Sequence, residues 1–434
     1  MLQPISAPPL TQPGQDVDVA IVGAGAAGIA AARRCRAAGL RVAVLEARDR
    51  VGGRAVTVSL GGHPVDLGAH WLHAGDLNPL VRLGRERGER LRRAPYDGPL
   101  VVDGRFEGRE GRRRHGQAFE RADLAFAQAA RQPADEPIAA AMPPLGRWGA
   151  SIAATMALIS GRPLHEVSVH DFPSDEFGDN YFIRGGYGAY LARLAAGLPV
   201  RLGCPVTAID WAGPGVALET PAGRVRARAA VVTVPVPLLE GGGVRFSPAL
   251  PVAVGEAIAG FLPGAYEHAI LNWPGSPFRK PDRLTKIVGR RGLRGMLTGM
   301  DGAPFHYLEL DYATSAGRNR AALARLTRDF LRNTFGAAAT RGLRVLAVTD
   351  WLTDPWSRLA WAVVPPGRAD DRLTLAQPVG ERIWFAGEAV SRGMWGTVGG
   401  AWEEGERAAD EIAARLARDQ STMRGAVSSG SENL

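Results

Sequence analysis

Residues Val17–Glu46 read VDVAIVGAGAAGIAAARRCRAAGLRVAVLE, and the fold turns on this stretch. Val17–Val22 is a short apolar run of strand type, and Gly23, Gly25 and Gly28 follow it as G-x-G-x-x-G. The Ala-rich run Ala26–Ala38 reads as a helix that stops at Gly39. Arg41–Leu45 reads as a second strand, ending at Glu46. Each part has a physical task. Gly23 permits a tight turn, Gly25 lets the backbone approach a pyrophosphate, and Gly28 lets helix and strand pack closely. The first helical turn, with Ala26 and Ala27, presents unpaired N–H groups and a positive dipole end to phosphates. The Glu46 carboxylate can accept hydrogen bonds from both ribose hydroxyls and would repel a 2′-phosphate. A lone Gly-rich turn is a weak signal. This one lies between two strands with the acid in register, so it predicts a bound dinucleotide.

The continuation says which dinucleotide. Ala47-Arg48-Asp49-Arg50-Val51-Gly52-Gly53-Arg54 is followed by Asp66-Leu67-Gly68-Ala69-His70-Trp71-Leu72-His73-Ala74-Gly75. Here the chain resembles the flavin-containing amine oxidases: monoamine, polyamine and L-amino-acid oxidases and histone lysine demethylases. Their hallmark is E-A-x-x-R-x-G-G-R after the ribose acid. The second segment looks most like the polyamine oxidase branch. Gly53 allows backbone contact with a pyrophosphate, and Arg54 adds positive charge beside it. Gly68 and Ala69 are small, as a backbone under a flat ring must be.

The resemblance recurs in family order. Phe182–Tyr187 with the Ala/Leu run after it resembles the G-G-x-x-x-L segment. Cys204–Ile209 resembles the strand whose Val206 backbone meets adenine, and Val231–Pro235 resembles a second strand returning to the cofactor. Ile383–Glu388, with Gly387 and Glu388, and Trp395–Ala401 resemble the C-terminal flavin motif. A helix starting near Val398, with Thr397 and Ala401 beside it, would aim its N–H groups at the flavin pyrimidine edge and favour negative charge on the reduced ring. The implied fold is α/β: a Rossmann-type FAD-binding domain with an α+β substrate-binding domain, discontinuous in sequence. Segments 15–78, 200–262 and 352–420 would build the first and 79–199 and 263–351 the second. Residues 1–14 and the polar tail from Ser421 would be flexible. On their own pattern, residues 119–160, 318–335 and 402–418 read as helices, and 266–273 and 284–290 as strands.

Composition sets bounds. At 434 residues and 46% hydrophobic content, two domains with sizeable cores are expected. No apolar run approaches the roughly 18–20 residues of a membrane span, and the first 15 residues lack a secretory signal pattern. Cys35, on the first helix, and Cys204, read as lying on a strand, are expected to be buried thiols, which favours a reducing cytoplasm. The net charge of +8 is almost wholly arginine; Lys280 and Lys286 are the only lysines. Arg109–Arg114 and Arg82–Arg93 concentrate some of it, and no nucleic-acid motif accompanies them, so a solvated helical face is expected and nucleic acid is not. No Zn-type spacing, P-loop or G-x-S-x-G is present, so no metal, NTP or acyl chemistry is expected.

The resemblance implies C–N oxidation of an amine whose α C–H lies beneath flavin N5, with O2 reoxidising the flavin. Three family features are met unevenly. A lysine usually holds a water at N5, and the strand around Tyr266-Glu267-His268-Ala269 places His268 there; a shifted alignment nominates Lys286, and a third option is neither. A histidine can hold the water and titrates near neutrality. An aromatic cage needs two walls. Trp361, before Pro365-Pro366-Gly367, is one. The other falls at Thr397, with Trp395 as a substitute. Trp351 matches a family tryptophan near the flavin or is plain core. His73 matches a site histidine of polyamine-oxidase-like members. If their segment is extended, His70 and Trp71 cannot both face the flavin. The covalent members carry a Cys where this chain has Leu359, so non-covalent FAD is implied. The missing lysine leaves open an amine dehydrogenase with another acceptor, and also an FAD-dependent desaturase or isomerase. A flavoprotein that has lost its reacting centre is a further reading. A homodimer is an assembly left open, and the sequence does not name the amine; polyamines are among the candidates.

Overall fold

The computed structural model describes residues 17–96, 98–172, 179–289 and 292–430. Val17–Val22 is the centre of an eight-stranded sheet, running parallel to Val42–Leu45 on one side and Gly223–Val232 on the other. Val200–Arg201 extends the sheet beyond Val42–Leu45. Gly223–Val232 is long enough to serve two partners: Val216–Thr220 antiparallel along its first half and Ile383–Phe385 parallel along its end. Ala208–Asp210 and Arg245–Ser247 complete the edge. Cys204 stands in the irregular connection before Ala208, not on a strand as expected, and both cysteines are buried.

The Ala-rich helix Ala26–Ala37 lies on this sheet with the last helix, Val398–Gly430. Small residues set that crossing. A side chain on Gly405 would overlap the Ala27 carbonyl, so the two helix backbones nearly touch. Val19, Ile21, Ala31, Val44, Val231, Trp384 and Ile412 form the core between. The last helix does not stop at Ser421, where structure was expected to end. Extending an existing helix adds one hydrogen bond per residue fixed and needs no new nucleus. Residues 1–14 and 431–434, also expected to be flexible, lie outside the described residues.

A second, seven-stranded sheet is mostly antiparallel. Its order is Arg344–Val348, Tyr266–Asn272, His306–Asp311, Gly292–Thr298, Arg283–Gly289, Leu100–Val102 and Arg105–Phe106. Ala269, Leu271, Met296 and Leu308 face the helix Arg320–Ala339 through its Leu323 and Leu331. Strand alternation sends Tyr266, His268 and Glu309 to the opposite face. The single helix expected over 119–160 is two: Arg109–Ala129 and Gly149–Ser160. Pro133, Pro137, Pro143 and Pro144 break it, each removing a backbone donor. The Arg109–Arg114 cluster is exposed on the first of these, and Arg113 and Arg114 pair with Glu110. Among the described residues no helix is long and apolar enough to cross a membrane.

Candidate functional site

One cavity of about 720 Å3 runs from the Gly-rich turn to the exposed face of the second sheet. At its first end Gly23 turns with φ of +100°, and a side chain on Gly28 would overlap the Gly23 carbonyl oxygen. The turn is therefore closed to anything larger than hydrogen at Gly28, which packs beneath the cavity and does not line it. Glu46 is buried. Its Oε2 accepts from the Ala24 N–H at 2.6 Å and its Oε1 from the Arg48 N–H at 2.8 Å. Two backbone donors aim the carboxylate, and each oxygen keeps a lone pair for a ribose hydroxyl. Burial raises the pKa of this carboxyl.

The other residues expected at a dinucleotide, Gly25, Ala26, Ala27, Ala47, Arg48, Gly53, Arg54, Val206, Pro235, Gly387, Glu388, Val398 and Ala401, all line the same cavity. The two arginines are not loose charges. Arg48 is held by Asp354 and Ser357. Arg54 donates to Glu388 Oε1 at 2.8 Å and to the Ala360 carbonyl at 2.9 Å. Glu388 also accepts from the Ala362 and Gly396 N–H groups, so it ties the glycine-rich end to the Trp361 segment. Thr397 caps the last helix: its hydroxyl accepts from the Gly400 N–H at 2.9 Å, and Thr397, Val398 and Ala401 of this helix start line the cavity. Gly68 lies between the Arg54 carbonyl, which a side chain would overlap, and the Trp351 ring. These features pass the test for a flat ring joined to a dinucleotide: glycines where a Cβ would collide, an aimed acid and an open helix start.

At the second end Trp361 and Tyr266 form a tilted pair with centroids 5.3 Å apart, and the Trp361 indole donates to the Ser160 carbonyl at 3.0 Å. Gly396 lies against the Trp361 ring. Trp395 lines the cavity too, its indole donating to the Asp171 carbonyl at 2.6 Å. His70 and Trp71 both line the cavity; their segment is irregular rather than a strand, so the condition for alternation does not arise. His73 lines it as well and stacks on Trp71. Burial lowers His73 to about 4.

His268 faces the cavity, and so does Lys286. His268 pairs across the sheet with Glu309, and Lys286 with Gly295. A side chain on Gly295 would overlap the Glu309 carboxylate, so the four positions make one row across four strands. Lys286 lies over the Phe119 ring at 4.9 Å, two strands beyond Glu309. Burial lowers His268 to about 4, drops His70 well below the usual imidazole range, and raises Glu309 to about 7. Sequence reasoning missed Glu309 and left Tyr266 unassigned. Tyr266 had a signal, two residues before His268 on a strand. Phe119, Asp123 and Phe126 of one helix and Met156 and Ile159 of another form an outer wall that it also missed.

Comparison with known proteins places these features. Residues 154–413 match the model of the family described as flavin containing amine oxidoreductase, and residues 21–85 match that of an NAD(P)-binding Rossmann-like domain. The human lysine-specific histone demethylase 2 is 28% identical over 91% of this chain, which spans only 53% of that relative; the chain thus covers about half the length of its demethylase relatives. Polyamine oxidase 4 of Oryza sativa subsp. japonica is 28% identical over 92% of this chain and 89% of its own length. A putrescine oxidase solved with putrescine superposes with a TM-score of 0.77 over 93% of this chain and 100% of that one, at 22% identity, a likeness of fold.

Proposed function

This chain belongs to the flavin-containing amine oxidoreductase family, with FAD as its cofactor, and from that premise we propose that it oxidises the C–N bond of a small amine. The bound ring would accept a hydride at N5, the imine would hydrolyse in water, and O2 would take the electrons as H2O2. The observation that carries this reading is the continuity of one cavity from Glu46 to the Trp361–Tyr266 pair. In it Gly23, Gly25 and Glu46 hold the dinucleotide, and the helix start at Val398 favours charge on the reduced ring. Trp361 and Tyr266 flank and desolvate the amine. Polyamines are among the candidate substrates. The FAD domain is assigned to 15–78, 200–262 and 352–420, and the substrate domain to 79–199 and 263–351. A reducing cytoplasm suits the two buried, unpaired cysteines.

One observation favours a second reading, an amine dehydrogenase with an acceptor other than O2. His268 stands where the family lysine is expected, and Lys286 is three strands away. Anaerobic bleaching of the flavin's blue absorption band tests both. Putrescine, free and acetylated spermidine, aromatic monoamines and L-amino acids are added separately. Bleaching by one class is the expected result, and admitting O2 then separates fast reoxidation from none. Bleaching by no amine overturns both readings and favours the desaturase-like or non-catalytic alternatives.

A further inference from the structure

At the inner end of the cavity, His70, His268 and Glu309 converge. Each is nearly fully buried, 2%, 2% and 4% exposed. The His70 Nδ1 lies 3.3 Å from the Gly68 carbonyl oxygen, which only accepts, so Nδ1 carries the proton and Nε2 offers a lone pair. That Nε2 faces Glu309 Oε1 at 4.0 Å. Neither atom has a hydrogen-bond partner, and His268, set beside the Leu67 backbone, keeps one ring nitrogen as an acceptor. One donor atom from each residue lies within 4.8 Å of the other two. The His70 Nε2, one nitrogen of a neutral His268 and a Glu309 carboxylate oxygen can thus each offer a lone pair to one point. A cation at that point takes all three lone pairs at once.

The supports are rigid. His268 and Glu309 are a cross-strand pair, which places their Cβ atoms about 5 Å apart on one face. Gly295 leaves room for the Glu309 carboxylate, and the Tyr266 hydroxyl and Trp71 indole bond to that group. His70 is clamped by its Gly68 contact and stacks on Phe182. Two imidazoles and one carboxylate with an open side match the donor set of a zinc site that keeps a coordination position free.

We propose that His70, His268 and Glu309 form a three-ligand site for a divalent first-row cation of the zinc class, its open position facing the cavity. Bonds of about 2.0–2.1 Å put tetrahedral donors roughly 3.4 Å apart. The site therefore tightens on loading, through rotation of Glu309 and His268. This inference departs from the absence of metal chemistry expected from sequence spacing. That spacing could not show it, because the ligands lie near 70, 268 and 309 and meet only through the sheet register.

The test uses the full chain with its flavin, freed of metal by a chelator, and no amine. Zinc uptake is measured by equilibrium dialysis with elemental analysis, and cobalt(II) is followed by its d–d absorption. One equivalent is expected in the wild type, weakened at least about 100-fold in Glu309→Gln and in His268→Phe, and unchanged in the surface control His165→Ala. Flavin content and melting temperature show whether the variants are folded. Zinc-edge absorption of the wild type, expected to show two imidazoles and an oxygen, needs no variant. The proposal is overturned by uptake below one equivalent, by uptake indifferent to Glu309 and His268, or by an edge spectrum without imidazole. Because turnover is not read, failure here leaves amine oxidation standing, and failure of amine bleaching leaves the cation site standing.

Discussion

Replacing Arg372 should loosen the wall that carries both tryptophans of the cavity. Arg372 is completely buried and reaches the expected cofactor positions only through backbone, its Nη1 lying 3.5 Å from the Glu388 carbonyl. Its Nε and Nη2 each donate to Asp171 at 2.8 Å, a bidentate pair. The remaining donors reach the Ala389 carbonyl at 2.9 Å and the Ala362 carbonyl at 3.1 Å, one residue from Glu388 and from Trp361. Its guanidinium stacks 5.1 Å from the Trp395 ring, whose indole bonds back to Asp171. Arg372→Met removes the cation and leaves the Asp171 carboxylate buried without it, which costs about 3–5 kcal/mol. In a chain of 434 residues that is a fall in melting temperature of about 3–6 °C. Arg372→Met with Asp171→Leu removes both charges and should recover at least half of the loss; the carbonyls left without a donor, about 1 kcal/mol each, are common to both variants. Melting followed by release of flavin fluorescence gives both numbers. A single variant within about 1 kcal/mol of the wild type, or a double variant no better than the single, would refute the clamp.

Three further outcomes follow from named contacts. Gly28→Ala places a methyl on the Gly23 carbonyl oxygen, so the purified protein should lose its flavin absorbance; full flavin occupancy would contradict the packing argument. Burial holds the Asp66 carboxyl at about 6 against 3.8 for the free group. The folded state thus keeps a proton the unfolded chain has released, and the stability this adds is present below pH 3.8 and lost as pH rises to about 6. Asp66 also accepts from the Tyr187 and Gly188 N–H groups, so Asp66→Asn is less stable throughout, and its gap to wild type should narrow by on the order of 2 kcal/mol between those limits; a constant or widening gap in pH-dependent melting contradicts this. Trp361→Ala should keep its flavin but slow anaerobic bleaching by roughly tenfold, the worth of an aromatic contact of ~1.5 kcal/mol; an unchanged rate would remove Trp361 from the cage.

The first end of the cavity was readable because its logic is local. Gly23, Gly25, Gly28 and Glu46 sit within one strand–helix–strand unit, where spacing along the chain fixes spacing in space. The helix start at Val398 was readable for the same reason: Thr397 caps it from the adjacent position. The range 119–160 holds two helices rather than one because Pro133, Pro137, Pro143 and Pro144 lie between them. For His70 and Trp71 the sequence carried only a condition, alternation if extended, and the irregular segment lets both side chains line the cavity.

The second end depends on register, which spacing does not carry. His268 and Glu309 are 41 residues apart and directly opposed, and a slip of one residue in either strand would turn its side chain to the Leu323–Leu331 face. The sequence therefore offered His268 and Lys286 as alternatives for one position, whereas in the fold both are present, on either side of Glu309 and Gly295. Gly295 decides what the row can do. Any side chain there would displace the Glu309 carboxylate, so its lack of a Cβ lets that carboxylate lie in the cavity. What register brings together at this end is the group His268, Glu309 and His70, which no single stretch of the chain carries.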